Sequence, residues 1–294
     1  MKKNTKKIRL RILNNRECKI LLFLWRWKVA TTLTLRQELA MHVNFWNFYH
    51  LLRALMLDGY IEIRYGATST SKKFALWHLT HHGFEYIKEE LGELADLNYA
   101  STSLFHDSYV VAFHYGNWIY KQPMNVDLFT EQELKCVDRS NYPFWVPNTK
   151  VHRPDGYTRI KSGNKNMIVA VEVELNAKTS ERYEALSDFY DDRKTIDYVL
   201  WLVSSESMIE KIQHAMMSRR SKRIEDHLFV LLEDYEKSGW SAKIVSGGKS
   251  KLAVSEFYYQ LGANIPTNYV PTSSQLDPVT TFLKTVRSPN GLDT

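Results

Sequence analysis

Arg153-Pro154-Asp155-Gly156, then a polar turn at Lys161-Ser162-Gly163-Asn164-Lys165-Asn166, then Met167-Ile168-Val169-Ala170-Val171-Glu172-Val173-Glu174-Leu175-Asn176-Ala177-Lys178: the fold turns on this stretch. A Gly-Asn pair between two runs of strand character predicts a β-hairpin with Gly163 and Asn164 near its tip. The second run is almost wholly apolar, as expected of a strand covered on both faces. Glu172 and Glu174 interrupt it at i and i+2, which puts both carboxylates on one face. Strand pairing can bring Asp155 level with Glu172. Three carboxylates are therefore expected to converge at the end of a buried sheet, with Lys178 just beyond.

Burying unpaired carboxylates is costly, so such a group must be neutralised, bonded to donors or bound to a cation. Oxygen-only ligands favour a hard cation, Mg²⁺ or Mn²⁺, over zinc. A cation there polarises a phosphodiester and lowers the pKa of bound water, and Lys178 is placed to offset charge on phosphorus. The alternative is that Glu172 and Glu174 reach solvent at an edge and pair with Arg or Lys.

These residues resemble the PD-(D/E)xK nucleases, whose catalytic acids lie on adjacent strands of one sheet. Glu174 stands where that family's lysine is expected, a form known among restriction endonucleases. The order Asp155, Glu172-x-Glu174, Lys178 is most similar to the MobC/TraX-type (MOB-C class) plasmid relaxases of the replication–relaxation group. The resemblance spans roughly residues 15 to 235, and its specific part is Pro154 to Lys178. It implies an endonuclease that nicks one strand at a plasmid transfer origin, with Asp155, Glu172, Glu174 and Lys178 essential and the three acids holding metal. It also implies a bacterial, cytoplasmic setting, double-stranded or single-stranded DNA as substrate, an accessory mobilisation protein and a type IV secretion coupling protein.

The rest of the chain fits that expectation. With 294 residues and a net charge of +6, it suits two modest domains. Residues 1–100 hold 16 Lys and Arg against 9 Asp and Glu, whereas the remainder holds 23 against 24, so the N-terminal part is the expected polyanion-binding half. No apolar run is long enough to span a bilayer, and no signal-peptide core region follows the basic start, so no membrane insertion is expected. Cys18 and Cys136 make neither a disulfide framework nor a zinc site.

Lys2, Lys3, Lys6, Lys7, Arg9 and Arg11 read as a basic arm (1–15). Helices are expected at Arg16–Lys28, at Thr34–Met41 through a Thr34-x-x-Gln37 capping box, and from Val43-Asn44 to Asp58. Strands at Tyr60–Arg64 and Phe74–Leu79 then flank a basic tip, and Thr80 caps a fourth helix. That is the order of a winged helix-turn-helix (16–98), in which the third helix enters the major groove and the wing touches the backbone. Asn44, Asn47, His50 and Arg53 are the candidate base readers, and Lys72 and Lys73 the wing contacts. The aromatic density around Phe45 and Trp46 equally suits dimerisation or protein docking. His78, His81 and His82 suit cap and surface roles better than metal binding.

The nuclease-like domain (99–260) is expected to be α/β, a mixed sheet flanked by helices. Leu104–Trp118 reads as its first helix, with Asp107 a weak additional acid. The first strand is expected within Val126–Val137, near Thr130–Leu134. Tyr142, Phe144 and Trp145 suit a core edge better than base stacking. After Lys178 a helix capped by Thr179-Ser180 carries Arg182 one turn on, where both cations can face a phosphate. Glu184, Asp188, Asp191 and Asp192 read as a solvated acidic face, and Arg219-Arg220-Ser221-Lys222-Arg223 as a basic helix end open to nucleic acid. Residues 261–294 read as a flexible tail. Of the tyrosines near the acids, Tyr157 and Tyr183 keep a covalent route formally open, but water is the simpler nucleophile. The competing functions are a double-strand-cutting restriction-type enzyme, a non-catalytic DNA-binding regulator, and a transcriptional repressor.

Overall fold

The computed structural model describes residues 11–40, 42–67, 73–119 and 122–263. Its N-terminal part runs α1 (Asn15–Trp27), α2 (Thr32–Leu39), α3 (Phe45–Leu57), β1 (Ile61–Ala67), β2 (Lys73–Leu79) and α4 (His81–Ile87). Each helix starts where a side-chain oxygen meets an otherwise unpaired N–H. Asn14 and Glu17 form a capping box on α1, Asn44 caps α3 and Thr80 caps α4. The expected start of α2 at Thr34 is three residues late. Thr31 is the cap, and its hydroxyl accepts from Thr34 N–H at 3.0 Å. β1 and β2 pair antiparallel, and Ala30 bridges to Trp77 as a further rung. Ile20, Leu24, Leu35, Phe48, Leu52 and Leu55 fill the core beneath. Arg11 does not belong to a free arm. Its guanidinium bonds Glu17 and Asp58, whereas residues 1–10 lie outside the described part.

The second part holds a six-stranded mixed sheet flanked by helices. α5 (Leu104–Val110) continues through a π turn (Val111–Tyr115) into a short 3-10 turn. Then come β3 (Val126–Thr130), α6 (Glu131–Cys136), β4 (Gly156–Ser162), β5 (Lys165–Glu174), α7 (Ser180–Asp191), β6 (Tyr198–Val203), α8 (Glu206–Ser218), β7 (His227–Leu231), α9 (Leu232–Ser238), β8 (Ile244–Ser246) and α10 (Val254–Gln260). The strands lie in the order β3-β4-β5-β6-β7-β8. β3, β4 and β5 form an antiparallel meander, β6 and β7 run parallel to β5, and β8 is antiparallel to β7. The hairpin therefore stands where the sequence places it, with Gly163 at φ 58° in its tip.

Alternation along β5 serves two cores. Val169, Val171 and Val173 join the cluster shared with the N-terminal helices, and Ile168 and Ala170 join that under α7 and α8. The two parts of the chain are thus packed on one continuous apolar cluster. Trp27 stacks near Tyr115, with ring centres 5.0 Å apart, and Arg26 reaches Glu133 at 3.1 Å.

Three local expectations are adjusted. The strand placed near Thr130–Leu134 ends at Thr130, because Thr130 and Glu133 form a capping box that starts α6. The acidic face of α7 is solvated but not free of partners: Asp188 takes an exposed two-pronged contact from Arg219, Glu184 accepts from Ser218, Asp191 accepts from Ser221, and Asp192 is exposed. The tail expected from residue 261 does not start there: Leu261 and Ala263 are buried, and Gly262 O accepts from Asn125. Residues 264–294 lie outside the described part.

Candidate active site

β4 begins and β5 and β6 end at one edge of the sheet, and the predicted acids collect there. Asp155 N–H donates to Val171 O at 3.0 Å, so Asp155 extends the ladder one residue before β4 and stands level with Glu172. Asp155, Glu172 and Glu174 are only 8, 6 and 4 % exposed. Gly156 is needed here for space. A Cβ at that position would overlap the His114 ring and come within 2.9 Å of Phe129 O. Its role is to let the π turn press His114 against the strand that carries Asp155.

Each carboxylate has protein partners. Asp155 Oδ2 accepts from Val173 N–H at 2.6 Å, and its Oδ1 lies 3.5 Å from His106 Nε2. His106 also donates to Val173 O at 3.1 Å and sits 3.4 Å from Asp107. Asp107 in turn lies 3.3 Å from Lys28 Nζ, at the end of α1, and Lys28 also pairs with Glu131. Glu172 Oε1 meets His152 Nε2 at 2.6 Å and accepts the hydroxyl of Tyr190. Glu174 Oε2 is 2.5 Å from Lys178 Nζ, but the pair is not aligned as a hydrogen bond and that oxygen has none. Asp107 Oδ2 is likewise buried without a partner.

The electrostatics follow from crowding in a dry place. Burial pushes Asp155 above the usual carboxylate range, and the charges of Glu172 and Glu131 add to this against His106. Burial also raises Glu174, helped by Glu172 and Asp155 and opposed by Lys178. For His106, burial favours the neutral ring, yet Asp107 and Asp155 together outweigh it and lift the imidazole to about 10. Asp107 is held low: burial would raise it, and His106 and Lys28 prevail. Five carboxylates (Asp107, Glu131, Asp155, Glu172, Glu174) thus lie among four basic groups (Lys28, His106, His152, Lys178), so the acids outnumber the bases at this edge, and all of the acids but Glu131 are buried.

That surplus, an Asp107 oxygen without a hydrogen bond and a Glu174 oxygen held by Lys178 alone match an all-oxygen donor set for a hard divalent cation. The set is not drawn round one point: among the described residues no group of three or more His, Cys, Asp or Glu is arranged to hold a metal. The donor chemistry fits, and the protein donors now on each acid would have to yield.

The other candidate residues are placed as follows. Lys178 caps the acid end, and its N–H donates to Tyr183 OH at 2.9 Å. Arg182 is exposed in the first turn of α7. Asn47, His50 and Arg53 are exposed on α3 beside Trp46, and α3 carries no acidic residue. Asn44 spends its side-chain oxygen on Trp46 N–H as the helix cap, which removes it as a free base reader. Lys73 opens β2, and Lys72 falls outside the described residues. In the basic run after α8, Arg220 and Lys222 are exposed, Arg219 makes an exposed pair with Asp188, and Arg223 is taken up by backbone carbonyls. Tyr157 and Tyr183 are both buried, and Trp145 is buried whereas Phe144 is exposed.

Sequence reading missed His106, His152, Tyr190 and Lys28. Each arrives from an element 18 or more residues away in the chain, and no local spacing announces it. No family model, no curated protein and no solved structure matches the chain. No helix among the described residues is long and apolar enough to cross a membrane.

Proposed function

We propose that this chain is a metal-dependent DNA endonuclease of the PD-(D/E)xK type, nicking one strand, with a winged helix-turn-helix in front. The order of three helices, a two-stranded ribbon and a fourth helix supports the DNA-binding part. The meander β3-β4-β5, the helix α7 and the parallel β6 support the nuclease part. The single observation that carries the reading is the negative surplus of buried Asp155, Glu172 and Glu174 at the edge where β4 begins and β5 ends.

In this reading Asp155, Glu172 and Glu174 hold Mg²⁺ or Mn²⁺. Such an ion, when bound, supplies Lewis acidity at the phosphodiester and a water of lowered pKa. His106, fixed between Asp107 and Asp155, orients the Asp155 carboxylate, and Lys28 holds Asp107 in place. Lys178 leaves Glu174 to offset charge on the phosphate as it grows. Asn47, His50 and Arg53 read the duplex, and Lys72, Lys73 and Arg182 contact phosphates. The biological setting is mobilisation from a plasmid transfer origin, with an accessory mobilisation protein and a type IV secretion coupling protein as partners.

A second reading is a DNA-binding regulator that has lost cutting. It is favoured by Glu172, whose Oε1 is already taken by His152 and Tyr190. Supercoiled plasmid carrying the natural locus separates the two. With Mg²⁺ or Mn²⁺ the parent is expected to yield open circles, and none with EDTA. Asp155→Asn should lower the rate by at least about 10²-fold while the mobility shift survives. A linear product would indicate double-strand cutting, and a shift without any cutting would indicate the regulator. Asp155→Asn cutting like the parent would remove this site from the reaction.

A further inference from the structure

Lys211 lies on α8, outside every motif in the sequence, yet it is aimed at the acid edge. Its Nζ donates to Lys178 O at 2.5 Å and lies 5.9 Å from the centre of the Tyr183 ring. Lys211 makes no salt bridge among the described residues, and the carboxylate that feels its charge is that of Glu181, exposed in the first turn of α7. A second ammonium is thereby held beside Lys178, whose own Nζ meets Glu174.

The opposite flank is also cationic. Arg153 lies two residues before Asp155, is exposed, and has no partner among the described residues. Asp155 O accepts from Glu131 N–H at 3.0 Å, which holds this stretch against the start of α6. Lys150 and the exposed Val151 and Phe144 belong to the same loop. Glu131, the acid at the start of α6, is already engaged by Lys28. The edge where β4 starts and β5 and β6 end therefore has unpaired cations on its α6 side and its α8 side, with the recessed acids between.

We propose that Arg153 and Lys211 grip the backbone phosphates on either side of the one that enters the acid site, so that a nucleic-acid strand crosses the sheet edge from α6 to α8. This rests on the nuclease reading and adds to it the path of the substrate and two binding residues. Val151 and Phe144 offer apolar surface to bases beside the Arg153 flank, and the Lys178–Lys211 pair takes the phosphates on the other. Lys211 is a binding residue in this scheme, held in place by the Lys178 carbonyl.

The test is binding of the full chain, in EDTA, to a fluorescent single-stranded oligonucleotide and to its duplex between 50 and 200 mM salt, roughly the range over which counterion release is read. Arg153→Ala and Lys211→Gln should each make the slope of log K against log salt shallower by about 0.7–0.9, and the double variant by about twice that. The amide introduced by Lys211→Gln retains a donor for the Lys178 carbonyl, so a lost charge is separated from a lost hydrogen bond. Lys243→Ala, which removes an exposed cation paired with Glu256, is the control and should leave the slope unchanged. A change on one probe alone identifies single strand or duplex as the substrate form. Slopes that match the control, a change in only one of the two variants, or no binding of either probe by the parent overturns the path. Because no metal and no cutting are involved, that failure is distinct from Asp155→Asn retaining nicking activity.

Discussion

The two ends of the six-stranded sheet handle charge in opposite ways. Where β6 and β7 begin, Arg223 donates to four backbone carbonyls, those of Tyr190, Arg193, Ile196 and Asp197, and to Asp226 at 2.8 Å. Asp197 Oδ2 accepts from Ile168 N–H at 2.6 Å. His227 accepts from Trp201 Nε1–H at 3.0 Å, and burial holds it neutral, down to about 3. There the Arg223 donors and the Asp197 oxygen that Ile168 reaches are engaged in hydrogen bonds. Where β4 begins and β5 ends, the carboxylates outnumber the cations, His106 is held charged, and oxygens of Glu174 and Asp107 have no hydrogen bond. A network built for stability closes its bonds, because each open one costs about 1–3 kcal/mol. In the reading proposed above, an end left open with surplus charge is where a cation would bind.

The largest expected effect is at the closed end. Arg223→Met would strip donors from four carbonyls and leave Asp226 without its arginine. We expect a loss of about 2–4 kcal/mol in urea unfolding, with nicking per folded molecule unchanged. A loss below about 0.5 kcal/mol, the size of an ordinary surface change, would make the two ends alike.

The next effect is in pH dependence, where His227 and His106 have opposite signs. The unfolded His227 ring takes a proton near the ordinary value of 6.5, but the folded ring only near 3. Its contribution is present above pH 6.5 and lost as pH falls toward 3, by up to about 1.4 kcal/mol per pH unit. His114, buried and also held down to about 3, acts in the same direction. His106 is raised, so its contribution is present below pH 6.5 and lost as pH climbs through about 10. Stability in EDTA should therefore decline on both sides of neutrality. His106→Asn should flatten the alkaline limb between roughly pH 7 and 10 and leave the acid limb alone. An unaltered alkaline limb would mean that His106 is not held charged by Asp107 and Asp155.

The same contrast explains what was legible in the sequence. The hairpin, the buried strand and the same-face pair Glu172 and Glu174 are local patterns of period two, and they stand as read. The order of helices and ribbon in the first hundred residues was legible because Asn44 and Thr80 mark helix starts chemically. The Thr130-x-x-Glu133 box is the same kind of signal, and it places a helix where a strand is expected near Thr130–Leu134. What no pattern could announce is which donor meets which acid. His106 reaches Val173 across 67 residues, and Lys28 reaches Asp107 across 79. Likewise the cations of Arg219 and Arg223 look free in sequence, and only folding assigns them to Asp188 and to backbone carbonyls.

The smallest expected effect is the most discriminating. Glu174 is buried, crowded by Glu172 and Asp155, and holds its proton more tightly than an ordinary glutamate. Glu174→Gln removes a charge that the fold tolerates at a cost, while Lys178, one-third exposed, can turn to water. Removing the charge of a crowded buried acid relieves repulsion, so stability should change by less than about 1 kcal/mol, and upward. Nicking, by contrast, should be lost. A residue whose removal leaves the fold intact or firmer while ending the reaction is held in place by function alone, the inverse of Arg223. If Glu174→Gln instead destabilises the protein as much as Arg223→Met, Glu174 is a structural partner of Lys178. The open end would then be a second closed network, and the surplus charge would no longer point to a cation.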